Sequence, residues 1–156
     1  MLKLIRNESD LDNKVFFPVG IETGSTIIRR DGSQTTSNLF EVYNQLNNKT
    51  LYWGSDRYGL LKHEDFLGKI EKNLAKRGYN DFAWGPDVTK EEKNEIPHRE
   101  IFTDVDGGQI RARYFIPTKE NVGNGRKDEI GICLDTANSI NGKKNDLPER
   151  AKLQFY

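Results

Sequence analysis

Asp104 and Asp106 stand one residue apart and are followed by Gly107-Gly108, so two carboxylates come close enough to suggest a divalent-cation site. A calcium loop needs further oxygen ligands at set intervals, and none follows here, so the pair reads as turn chemistry at the end of a hairpin. Cys133 sits in the apolar run GICLD, where a thiol is desolvated rather than activated; a nucleophile wants a cationic, partly exposed setting. His63 opens a helical pattern and His98 follows Pro97. Either imidazole titrates in the range for general-base work. No serine or cysteine stands in a nucleophile-elbow sequence, however, and helix-entry and surface roles are expected. The run GNGRKD (123–128) has the glycines of a phosphate cradle but lacks the Gly-Lys-Ser/Thr that opens a helix in such a loop. One cysteine and two histidines leave no disulfide framework and no zinc ligand set. Accordingly no catalytic residue, metal site or cofactor is expected.

The other residues with chemical potential are cations and aromatic rings. In 109–116, Ile110, Ala112, Tyr114 and Ile116 alternate with Gln109, Arg111, Arg113 and Phe115. A strand with that period has one apolar face and one basic face carrying a ring. Binding a nucleic-acid strand without sequence preference needs that combination, cations for the backbone and flat side chains for the bases. The same alternation also fits any antiparallel sheet with one wet face. The chain is neutral overall, with 24 basic and 24 acidic residues, but segments differ: 41–80 carries +2, 81–108 carries −5 and 109–156 carries +3. If the acidic stretch projects away, Arg111, Arg113, Lys119, Arg126, Lys127, Lys143 and Lys144 are expected to share one side. Arg29, Arg30, Arg57 and Tyr58 are candidate neighbours.

A chain of 156 residues has the size of one domain. From 64 to 77, Phe66, Leu67, Ile70 and Leu74 mark one face of a helix, with Glu64 and Asp65 in its first turn, Lys76 and Arg77 in its last, and Gly78 as left-handed cap. This is the only segment that reads clearly as a helix. Strands are expected at 25–30 and 39–43, pairing as an early hairpin across a generous loop. A bent strand is expected at 51–61, interrupted by Gly54 and Gly59. The strongest hairpin joins 99–105 to 109–116 through Asp106-Gly107-Gly108, which supplies the positive φ of a short reversal. Strands at 129–135 and 151–156 follow. Residues 87–97 read as a polar insertion or short exposed helix, and of Trp53 and Trp84 at least one should be buried. Together these predict a single α+β domain over 1–156, mainly antiparallel sheet with one main amphipathic helix (64–77) packed on one face.

Two stretches carry a family resemblance. Gly54-Ser55-Asp56-Arg57-Tyr58, followed by an apolar pair and the helix, resembles the "Ser-Asp-x-Tyr, strand, helix" signature of an uncharacterised family of phage- and plasmid-encoded proteins. The hairpin through Gln109 to Pro117 and the run CLDTANSING (133–142) are similar to that family's later strands, which end in an Asn-Ser-x-Asp-Gly turn. Asn138, Ser139 and Gly142 match, while Asn141 replaces the acid. The resemblance spans about residues 50–156 and implies a mobile-element origin, with this chain a short or truncated member of a longer family. A sheet-plus-helix body of this kind is similar in outline to phage single-strand annealing recombinases.

The expected function is therefore a phage-type, non-catalytic nucleic-acid-binding protein acting on single-stranded DNA in recombination, replication or annealing. Arg111, Arg113, Lys143 and Lys144 would neutralise phosphates, Phe115 and Tyr58 would stack on bases, and Arg57, Arg126 and Lys127 would add contacts, with homo-oligomerisation extending the site. The alternative is a module that binds a host protein, inhibiting a defence or replication factor, or a minor structural protein. Its sequence support is the acidic stretch 91–100 beside an aromatic surface. The opening residues turn acidic too early for a signal peptide, and no apolar run reaches membrane-span length. A cytoplasmic, membrane-free protein is expected.

Overall fold

The computed structural model describes residues 2–24, 26–36, 39–54, 60–121, 129–141 and 152–155, with side chains of 119–121, 129–130 and 152–155 excepted. It is an α+β fold in which antiparallel sheets dominate. The large sheet has strand order β1-β8-β9-β10-β11, from β1 (Lys3–Ile5), β8 (His98–Thr103), β9 (Gln109–Asn121), β10 (Glu129–Ser139) and β11 (Lys152–Phe155). A short β7 (Ala83–Trp84) runs parallel to the start of β8, on the edge that β1 shares further along. Between β1 and β7 lie α1 (Glu8–Lys14), a three-stranded sheet of order β2-β5-β6, a two-stranded ribbon and α2 (His63–Lys76).

Helix α2 forms where the apolar repeat and charge pattern agree. Leu67 and Leu74 are buried, and its acidic and basic residues occupy the favourable ends of the dipole. Gly78 ends it at φ +89°, with Gly78 N–H donating to Ala75 and Tyr79 N–H to Leu74. The buried stripe lies on the apolar face of the large sheet, against Ile101, Ile110, Ala112, Tyr114 and Ile116. The β8–β9 turn is reversed by Gly107 at φ +72°; a β-carbon there would collide with the Phe17 ring and the Lys14 carbonyl.

Several expectations are corrected. Helix α1 joins the core through Leu11, its start capped by the Asn7 side chain accepting from Asp10 N–H at 2.8 Å. The strand 26–28 does not pair with 39–43. β3 (Thr26–Ile28) pairs with β4 (Gln34–Thr36), while β5 (Phe40–Asn44) is the centre of the small sheet between β2 (Val19–Glu22) and β6 (Lys49–Gly54). Phe40, Val42 and Asn44 are buried at alternate positions, so β5 has one covered face, which an exposed ribbon cannot supply. Residues 85–94 contain two 3-10 turns instead of an α-helix. Neither tryptophan is fully buried: Trp84 packs beside the core under the Arg99 guanidinium, 4.4 Å from its ring centre, and Trp53 is 49% exposed. No described helix is long and apolar enough to cross a membrane.

Candidate nucleic-acid interface

Alternation in β9 places Arg111, Arg113 and Phe115 on the sheet face away from α2, as the sequence pattern implies. Register then fixes their neighbours. Arg111 lies between Phe102 of β8 and Ala137 of β10, Arg113 between Glu100 and Asp135, and Phe115 between His98 and Cys133. Alternate strand residues are about 7 Å apart, so two cations and a ring follow one another along a single line.

The cations are braced. Arg111 donates to both carboxylate oxygens of Asp135, from Nε at 3.0 Å and from a terminal nitrogen at 2.6 Å. These bonds raise the Arg111 pKa above its ordinary value. The Nε of Arg113 is 4.0 Å from the same carboxylate. Asp135 is 7% exposed, whereas the Arg111 and Arg113 side chains are 29% and 31% exposed. The carboxylate is thus the most buried member, and the arginine side chains keep about a third of their surface exposed. The Nε of Arg113 is itself buried, without a hydrogen-bond partner among the described residues. The expectation that the acidic stretch projects away from these cations is corrected at Glu100, which adjoins Arg113 in the register, and Asp135 sits between the two arginines. Phe115 is also partnered, since His98 stacks on its ring at 4.7 Å and 9° and Arg113 lies 5.6 Å from its centre.

His98 is buried, contrary to the surface role expected of it, and its Nδ1 lies 2.9 Å from the Ile96 carbonyl. Cys133 is buried on this same face beside Phe115, and burial pushes its thiol pKa up. Lys143, Lys144, Arg57, Tyr58, Arg126 and Lys127 lie outside the described residues. The lysines of α2, Lys69, Lys72 and Lys76, are exposed on a helix that covers the opposite side of the sheet.

At the end of this face, the stretch that carried the family resemblance does structural work. Asn138 Nδ2 donates to the Leu61 carbonyl at 2.9 Å and approaches His63 Nδ1 at 3.1 Å, while His63 Nε2 lies 2.8 Å from the Gly107 carbonyl. One neutral tautomer satisfies all of these contacts, with Nε2–H donating and Nδ1 accepting. Burial pushes the His63 pKa down to about 4. Ser139 Oγ donates to Asn141 Oδ1 at 2.8 Å, and Asn141 Nδ2 donates to Asp104 Oδ2 at 3.5 Å. Asp104 accepts from Gln109 N–H, and Asp106 pairs with Lys49 at 2.6 Å, so both carboxylates of the turn are engaged locally. No group of three or more histidine, cysteine or acidic residues suited to a metal ion occurs among the described residues.

Sequence reasoning gave no role to Arg99. It pairs with Glu71, which also accepts from Tyr114 O–H, and with Glu8 at 2.7 Å, tying α1, α2 and β8 together. Its types were visible, but the partners are 28 and 91 positions away. No protein-family model, curated protein or solved structure matches this chain.

Proposed function

We propose that this protein binds single-stranded nucleic acid along the face of the large sheet that carries Arg111, Arg113 and Phe115, without a chemical step. The observation that supports the reading is the line of two partly exposed arginine side chains and a ring, held in register beside the buried carboxylate of Asp135. Arg111 and Arg113 are matched in number by Asp135 and Glu100, so the line has no net charge and offers a polyanion its two guanidinium groups as hydrogen-bond donors. Bracing by Asp135 removes rotamer freedom that binding would otherwise have to freeze. A phosphate oxygen can reach the exposed part of the two arginine side chains, and a base can contact the part of the Phe115 ring that reaches the surface. A role in phage recombination, replication or annealing rests on the family resemblance.

Anisotropy of a labelled single-stranded oligonucleotide, titrated at several salt concentrations, tests the proposal. Modest affinity that falls steeply with salt is expected, and Arg111→Gln with Arg113→Gln should weaken it about tenfold or more. Absence of binding at low salt, or binding unchanged in the double variant, would remove the proposal.

A second reading, a protein-binding module, is favoured by one specific observation. On the outer face of the small sheet the half-exposed Trp53 is the register partner of Glu41, with Glu22 and Tyr43 alongside. An acidic face with exposed rings suits a basic protein partner and repels a polyanion. Loss of a nuclease-resistant, stoichiometric protein complex on Trp53→Lys, with oligonucleotide affinity intact, would favour this reading.

A further inference from the structure

The β3–β4 ribbon is a separate two-stranded sheet, and every residue of both strands is exposed. Isolated hairpins gain little stability of their own, so a ribbon presented this way contributes little to the core and is free to contact something else. Its turn is well defined. Arg29 N–H donates to the Ser33 carbonyl at 2.8 Å, Gly32 takes φ +83°, and Gly32 N–H donates back to Arg29 at 3.0 Å.

The chemistry of the ribbon points to one class of partner. Asp31 is the only acid in 26–36, and its Oδ1 is taken by Ser33 N–H at 2.9 Å and Ser33 O–H at 2.6 Å. Arg29 and Arg30 have no ion-pair partner among the described residues, in contrast to Arg111. The strands add Thr26, Gln34, Thr35 and Thr36, hydroxyl and amide groups that bond phosphate and sugar oxygens. A protein-docking arm would be anchored by aromatic residues, and this ribbon has none. Ile27 and Ile28 are exposed apolar side chains next to the arginines, suited to contact sugars or thymine methyl groups inside a groove.

We infer that the β3–β4 ribbon contacts duplex nucleic acid, inserting Arg29 and Arg30 into a groove. A two-stranded ribbon fits a major groove of roughly 12 Å width. Combined with a single-strand-binding sheet face, this makes a junction of duplex and single strand the preferred substrate class. The junction preference rests on the proposed function; the duplex contact does not.

The test uses the full chain and three labelled probes, a single strand, a blunt duplex and a duplex with a single-stranded tail, read by anisotropy at fixed salt. Arg29→Glu with Arg30→Glu should weaken blunt-duplex binding tenfold or more and leave single-strand affinity within twofold. The slope of log affinity against log salt on the duplex should fall by about 1 to 2. Arg29→Lys with Arg30→Lys should retain most duplex affinity. Arg111→Glu with Arg113→Glu should do the reverse on the single strand, so failure of one site is distinguishable from failure of the other. No duplex binding by the native chain, or duplex affinity unchanged in the Glu variant, would overturn the inference. So would loss of a nuclease-resistant protein complex in that variant while duplex affinity persists.

Discussion

Two sheet faces in this molecule set charged side chains beside rings, arginines on one and glutamates on the other. On the large sheet, Arg111 and Arg113 accompany Phe115; on the small sheet, Glu22 and Glu41 accompany Tyr43 and Trp53. The arginines converge on a buried carboxylate, whereas among the described residues the glutamates accept from neutral hydroxyls, Tyr43 to Glu22 and Thr50 to Glu41, each at 3.1 Å. The difference teaches that charge and rigidity trade against each other. The arginine face gives up its net charge to Asp135 and Glu100 and is held in place; the acidic face keeps its full charge on side chains that little restrains.

The largest expected effect separates the two regions by pH. His63 is neutral in the folded chain because its pKa is lowered to about 4, so the unfolded chain binds the extra proton first as pH falls. Stability is full above pH ~6.5 and is lost progressively down to pH ~4, by about 3 kcal/mol in total. His63 anchors α2 to the large sheet, so that sheet should respond first. Trp84 reports the large sheet and Trp53 the small one, and single-tryptophan variants followed by fluorescence during acid titration should show Trp84 changing at the higher pH. Simultaneous change would mean that the two sheets unfold as one unit.

Next in size, Asp135→Ala should destabilise the fold by about 2 to 3 kcal/mol in urea denaturation. That is below the usual cost of orphaning a buried charge, because the Arg111 and Arg113 side chains remain 29% and 31% exposed. Glu41→Ala should change stability by less than about 0.5 kcal/mol in the same assay. Equal losses would break the contrast between a braced and an unbraced face. Phe115→Leu should cost about 1 kcal/mol through the lost His98 stack. The smallest effect is on Glu22→Gln, which leaves an acceptor for Tyr43 and should leave the melting temperature within error of the native chain.

What could be read from the sequence follows the range of the forces involved. Helix α2 and the two faces of β9 were legible because burial imposes a local period, and Gly78 and Gly107 were legible because only a positive φ explains them there. Helix α1 was not, since seven residues with Leu11 as their one buried side chain make too short a pattern. The ribbon was assigned the wrong partner because Leu39–Tyr43 looks like the return arm of a hairpin until its place between β2 and β6 is known. The bracing of Arg111 was invisible for a different reason. Asp135 is 24 positions away, and only the β9–β10 register, which puts Asp135 beside Arg113, brings the carboxylate to the pair. Charge counting located the cations but not the acid beneath them.

The most direct test is an amide chemical-shift map of the isotope-labelled protein titrated with a single-stranded oligonucleotide. Shifts centred on 98–102, 111–115 and 133–137 are predicted, with α2 and the small sheet silent. Shifts centred on Lys69, Lys72 and Lys76, or no shifts at low salt, would contradict the account.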